Sequence, residues 1–201
     1  LIIKNFLKHV QKRECIKRFI YISTSGVYGD KNDKEVDENS SLQPLTDRAK
    51  RRVNAERQVL DSNLNYTILR VPGIYGPGRL PINRIEQRLP LIDLDICKHT
   101  NLIHAKDLAK IIISSLDNKN AVNKIINVSD GTAIKSTQYY LYICDALNKT
   151  YPDFIDYDAA EKLYDDKRKS FIKESRKLDT RLMNKIFPDI IEFKDIRDGI
   201  K

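Results

Sequence analysis

The chain has 201 residues, 41% hydrophobic and 32% charged, with 36 Lys and Arg against 28 Asp and Glu for a net charge of +8. That length and apolar content suffice for a domain with a buried core, and no apolar run approaches the roughly 20 residues a membrane-spanning helix needs. The three cysteines share no pair spacing, which speaks against a disulfide framework or zinc site and for a reducing, cytoplasmic setting; basic residues interleaved with acids, without an aromatic platform, argue against nucleic acid as partner.

Ile3, Phe6, Leu7 and Val10 recur at helical spacing and predict an amphipathic helix from Leu1 to near Glu14. Lys17 to Ser23 reads as a buried strand. Asp30 to Leu45 is acidic and turn-rich, so a surface loop is expected. Helix follows from Thr46 to Asp61, then a strand from Tyr66 to Val71 that Pro72 ends. In Gly73-Ile74-Tyr75-Gly76-Pro77-Gly78 the spacing is wrong for a phosphate loop, and Pro77 and Pro81 oppose an immediate helix. A turn-rich loop is expected there.

Ile82 to Arg88 predicts a short helix, and Ala105 to Leu116 a longer one that buries Leu108, Ile111, Ile112 and Leu116. Strand Lys124 to Val128 and helix Ser136 to Leu147 follow, with Ser136 as cap. Residues 1–150 are expected to carry the sheet, and residues 151–201 to form a charged helical region without repeats. Strand alternating with helix predicts an α/β fold with a doubly wound parallel sheet.

Two segments share a strand-then-turn form. Ile20-Tyr21-Ile22-Ser23-Thr24-Ser25-Gly26-Val27-Tyr28-Gly29 runs from apolar strand into hydroxyls and a tight turn, and Tyr66 to Arg79 repeats the design. Open α/β enzymes place ligand-facing groups at such carboxyl edges. Further along stand His104-Ala105-Lys106-Asp107-Leu108-Ala109, Asn127-Val128-Ser129-Asp130-Gly131 and Ser175-Arg176-Lys177-Leu178-Asp179-Thr180. In this order the motifs resemble the extended short-chain dehydrogenase/reductases of the NAD-dependent epimerase/dehydratase type.

The resemblance implies a Rossmann-like NAD(P)-binding domain, with residues 151–201 as a substrate-side helical lobe interleaved with the sheet. In the family a proline is followed at plus four by the catalytic Tyr, at plus eight by its Lys and at plus twelve by a Glu. Counting from Pro44 gives Arg48, Arg52 and Glu56, while Thr24 holds the family's Ser/Thr position. A guanidinium stays protonated to above about pH 12, so it stabilises an anion but does not act as a general base near neutrality. Family chemistry is therefore expected in altered form.

By family position Thr24, Arg48 and Arg52 are the implied catalytic residues. Ser23, Thr24, Arg52, Pro72, Gly73 and Ile74 would contact NAD or NADP, and Tyr75, Arg79, Arg84 and Arg176 the substrate, with no metal ligand implied. The implied partner is a small molecule, nucleotide-linked or phosphorylated, and neither nucleic acid nor membrane; the resemblance leaves room for a homodimer. The glycine fingerprint that cradles a pyrophosphate is absent from the sequence. It is expected upstream of Leu1, in roughly 90 further residues if three βαβ-type units precede.

Structural roles compete with these. Thr24 can bond its local backbone, Arg70 is expected in an ion pair, His104 can cap the helix beside it, and Arg79, Arg84 and Arg176 can form a solvated face. Three functions stay open: an oxidoreductase of altered chemistry, a non-catalytic NAD(P)-binding regulatory module, and an inactive truncated product.

Overall fold

A computed structural model describes residues 2–13 and 15–200, so Leu1 and Glu14, the two ends of the expected first helix, lie outside the described residues. In chain order the elements begin with α1 (Ile2–Val10), β1 (Phe19–Thr24), β2 (Glu35–Val36), α2 (Asp47–Leu60), β3 (Tyr66–Val71) and β4 (Gly73–Tyr75). Next come α3 (Ile82–Glu86), β5 (Leu91–Ile92), β6 (His99–His104), α4 (Ala105–Asp117), β7 (Lys124–Asn127) and β8 (Ala133–Lys135). The last are α5 (Ser136–Ala146), β9 (Phe154–Ile155), α6 (Tyr157–Leu163), α7 (Asp166–Ile172), β10 (Lys177–Leu178) and α8 (Arg181–Ile186).

Strands β1, β3 and β7 form a parallel sheet in that spatial order, with Ile22 opposite Leu69 and Thr24 opposite Val71. Because side chains alternate along a strand, β3 sends Leu69 and Val71 to one face and Ile68 and Arg70 to the other. The first face packs on Leu108 and Ile111 of α4 and on Met183 and Ile186 of α8. The second packs on Leu7 of α1 and Val59 of α2. Helices on both faces make the sheet doubly wound, as the alternating pattern predicts.

Thr46 starts α2 by accepting the Ala49 N–H at 3.1 Å, and Asp47 in the first turn and Arg57 in the last complement the helix dipole. Ala49, Val53, Glu56 and Val59 form the buried face. Arg48 and Arg52 fall on the other side, which is exposed. That face is set by 3.6-residue periodicity, so the arginines are placed by the same spacing that builds the core.

A second sheet holds β4, β6 and β8, with Gly73 opposite Leu102 and β8 antiparallel to β6. Two short pairs tie late residues to early ones: β10 beside β2, and β9 beside β5. The region after residue 150 thus contributes strands as well as helices.

Several expectations are corrected. Pro72 does end β3, yet Gly73 resumes a strand in the other sheet. Leu116 is 49% exposed, because α4 turns Ile111 and Ser115 inward instead. Ser136 is the first helical residue of α5, and the residue at the cap position, Lys135, makes no side-chain cap bond. The loop expected from Asp30 to Leu45 contains β2, whose two residues are too few to leave a period in the sequence. No helix among the described residues is long and apolar enough to cross a membrane.

Candidate active site

The carboxyl ends of β1 and β3 open onto a cavity of about 550 Å³. Thr24, Pro72, Gly73 and Ile74 form its floor at the sheet edge, Arg48 and Arg52 come from α2, and Arg79 and Arg176 come from later loops. Eight of the expected positions therefore share one wall.

Thr24 is in extended conformation and caps a single 3-10 turn, Ser25–Tyr28, its Oγ1 accepting the Gly26 N–H at 3.2 Å. The backbone role is real. A hydroxyl with one lone pair so engaged still has its O–H to donate. Gly29 closes the turn at φ 69°, where a Cβ would lie 1.9 Å from the Gln43 carbonyl oxygen. Only glycine fits there.

Arg52 reaches back to the sheet, its Nη1 donating to the Tyr21 hydroxyl at 3.1 Å and the Ile22 carbonyl at 3.3 Å. Arg48 lies over the ring of Phe171, with its guanidinium carbon 5.0 Å from the ring centroid. Neither arginine has a carboxylate at ion-pair distance among the described residues. Both keep a charge facing the cavity that Thr24 lines.

Three expected positions lie off the wall. Ser23 is buried and donates its hydroxyl to Glu56. Tyr75 is fully buried, with its ring edge-on to His104 at 5.2 Å, and burial pushes its phenol far above the ordinary range. Arg84 borders a neighbouring hollow and donates Nη2 to the Pro90 carbonyl at 2.7 Å.

Below the floor sits a buried ion pair. Arg70 donates Nη2 to Glu56 Oε2 at 2.8 Å, the two side chains being 3% and 2% exposed. Arg70 Nη1 also donates to the Tyr28 hydroxyl at 2.9 Å, and Tyr28 in turn donates to Asn127 Oδ1 at 2.7 Å. Burial works against the Arg70 charge, but Glu56 and Tyr28 more than offset it and hold its pKa above the ordinary value. Burial also raises the Tyr28 phenol to about 12. The network locks α2, β1, β3 and β7 together beneath Thr24.

His104 caps α4, accepting the Lys106 N–H at 3.3 Å, and does not line the cavity. Asp107, fully buried, accepts the backbone N–H groups of Glu192 and Phe193 at 3.1 and 3.0 Å. The His-x-x-Asp motif thus fastens α4 to the C-terminal segment.

Sequence reasoning missed part of the wall. Arg168 of α7 faces the cavity and donates Nη1 to the Tyr140 hydroxyl at 2.9 Å, without an acidic partner among the described residues. Phe171, Tyr139 and Lys98 join it. Cations on the wall are Arg48, Arg52, Arg79, Lys98, Arg168 and Arg176, against the single carboxylate Glu174. Lys98 is paired with Asp30 at 3.2 Å and Arg176 with Glu174 at 2.9 Å, which leaves four arginines without an acidic partner among the described residues. Such a wall attracts anions. Among the described residues no group of three His, Cys, Asp or Glu side chains could hold a metal ion.

A parallel, doubly wound sheet with an arginine-lined cavity at its carboxyl edge defines an open α/β ligand-binding domain. Residues 2–129 match the model of the NAD dependent epimerase/dehydratase family, and the chain belongs to that family. It is 27% identical over 147 residues to human dTDP-D-glucose 4,6-dehydratase, covering 67% of this chain and 42% of the relative. With UDP-glucose 4-epimerase of Vibrio cholerae it shares 26% over 148 residues, 67% of this chain and 44% of the relative. The chain thus spans under half the length of these curated relatives.

Among solved structures, a functionally unknown conserved protein from Silicibacter pomeroyi superposes with a TM-score of 0.86 at 24% identity, over 99% of this chain and 70% of that one. UDP-glucuronic acid 4-epimerase from Bacillus cereus, solved in complex with NAD, gives 0.77 at 18% identity, over 100% of this chain and 64% of that one. At such identities the likeness is one of fold.

Proposed function

We propose that this chain forms the substrate-side part of an NAD(P)-dependent oxidoreductase acting on an anionic small molecule, nucleotide-linked or phosphorylated. The observation that carries the reading is the set of arginines, without acidic partners among the described residues, on a cavity that also holds the Thr24 hydroxyl and the open edge of β3. Pro72, Gly73 and Ile74 line the cavity at the open edge of β3, where the nicotinamide end of the cofactor would lie. When bound, the nicotinamide accepts or returns a hydride.

The chain's own residues supply the setting. Thr24 donates its O–H to the substrate oxygen at the reacting carbon. Arg48 stabilises negative charge that develops on that oxygen by fixed electrostatics, while the proton that leaves or joins the oxygen is exchanged with water in the open cavity. Arg52 bridges from α2 to β1 and adds positive potential at the cofactor edge. Arg79 and Arg168 hold the remote anionic group of the substrate.

The alternative is a module that binds NAD(P) without turnover, favoured by the lack of a general base at Arg48 and Arg52. Incubating the complete protein with NAD(P) and a panel of sugar nucleotides, while following nicotinamide absorbance, separates the two. Turnover supports the oxidoreductase; tight cofactor binding with no turnover on any member supports the module.

A further inference from the structure

We infer that Arg176 is a positioning residue that clamps the turn carrying Thr24, rather than a contact for the substrate. Its Nη1 donates to the carbonyls of Ser25 at 3.0 Å and Gly29 at 2.9 Å, the two ends of the 3-10 turn. Its Nη2 donates to Glu174 Oε2 at 2.9 Å, and the side chain is only 11% exposed. Three of its five N–H donors are thus spent within the protein.

The backbone around Arg176 is itself fixed from two sides. The Asn101 amide donates to the Arg176 carbonyl at 2.8 Å and its oxygen accepts the Leu178 N–H at 2.9 Å. Ser175 donates its N–H to Asp30 at 2.8 Å, and its carbonyl accepts the Lys31 N–H at 2.8 Å. The next two residues form β10 against β2. A rigid segment from late in the chain therefore grips both ends of an early turn.

The geometry suits arginine. One nitrogen of a planar, delocalised fork addresses two carbonyls while another faces a carboxylate, whereas a lysine ammonium is a single point of charge on a flexible stem. The consequence is that residues 174–178 set the orientation of the Thr24 hydroxyl from about 150 residues away in sequence. This inference rests on the proposed role of Thr24.

The test compares wild type, Arg176→Lys and Arg176→Ala as complete proteins, by turnover with NAD(P) and by amide hydrogen exchange. The clamp predicts that exchange at residues 26–29 rises about tenfold or more in both variants while the amides of β1 and β3 keep wild-type rates. It further predicts that kcat falls by about 100-fold, the scale of a hydroxyl misplaced by an ångström, with the substrate KM changed less than about threefold. Lysine does not rescue.

A raised KM with unchanged kcat and unchanged exchange would overturn the clamp and make Arg176 a substrate contact. Rescue of both readouts by lysine would reduce it to a simple charge and overturn it too. If wild type turns over nothing, the oxidoreductase reading fails separately, and exchange at residues 26–29 alone decides the clamp. If the alanine variant does not fold, the lysine variant carries the same comparison.

Discussion

Replacing Glu56 by Gln leaves the Arg70 guanidinium buried without its counter-charge. The pair is 3% and 2% exposed and joined by three donor contacts, Arg70 Nη2 to Oε2 at 2.8 Å and Nε to both oxygens at 3.3 Å. Removing one partner of such a pair costs about 3–5 kcal/mol, because the remaining charge stays desolvated. At about 2–4 °C per kcal/mol for a domain of this size, the melting temperature falls by roughly 6–20 °C. Thermal unfolding of the complete protein followed by circular dichroism measures it. A loss under about 3 °C would mean that water reaches Arg70 and that the network does not brace the floor beneath Thr24.

Three further predictions concern other parts of the site and core. Burial raises the Asp130 carboxyl from 3.8 to about 6, and its Oδ2 has no partner among the described residues, so this group favours the folded state when protonated. Its contribution is full below the unfolded value and is lost as pH climbs through about 6, a difference of about 3 kcal/mol. Asp130→Asn therefore melts higher than wild type at pH near 7.5 and equal to it near pH 4, and equal melting at both values would refute the assignment. Gly29→Ala places a Cβ at 1.9 Å from the Gln43 oxygen at a φ of 69° and should destabilise by about 2–4 kcal/mol, read by denaturant midpoint; a neutral outcome would show that the turn can relax. Arg168→Ala should raise the KM for an anionic substrate about tenfold while leaving the KM for NAD(P) unchanged; an unaltered substrate KM would take Arg168 out of the anion wall.

Much of the fold was legible because the core obeys two periods. The apolar run before Ser23 and the run from Tyr66 to Val71 are strands of the central sheet, and Thr46 and Asp61 bracket α2 as its caps. Elements of two or three residues were not legible. β2, β5, β9 and β10 exist through pairing partners more than 60 residues apart, and no local pattern announces such contacts. Leu116 shows a related limit: apolar type alone did not say which side of α4 faces the sheet.

The site was legible in part for a different reason. Thr24, Pro72, Gly73 and Ile74 lie at strand ends, where position along the strand fixes position in the cavity. Tyr75, one residue further, points into the core between His104 and Tyr139, so a motif neighbour became a packing residue. Arg168 went unnoticed within a charged stretch because only tertiary folding separates a wall cation from a solvated one. Its signature is the Tyr140 and Tyr164 rings, 5.3 and 5.5 Å from its guanidinium carbon.

Hydride transfer by Arg48→Ala, measured by nicotinamide absorbance under single-turnover conditions, bears most directly on the proposed chemistry. Arg48 is exposed and stacks on Phe171, so its loss should change stability by no more than about 1 kcal/mol. If its charge stabilises the developing oxyanion, the rate falls by about 100- to 1,000-fold in a protein that remains folded and still binds the cofactor. A folded Arg48→Ala protein that transfers hydride at the wild-type rate would contradict the account.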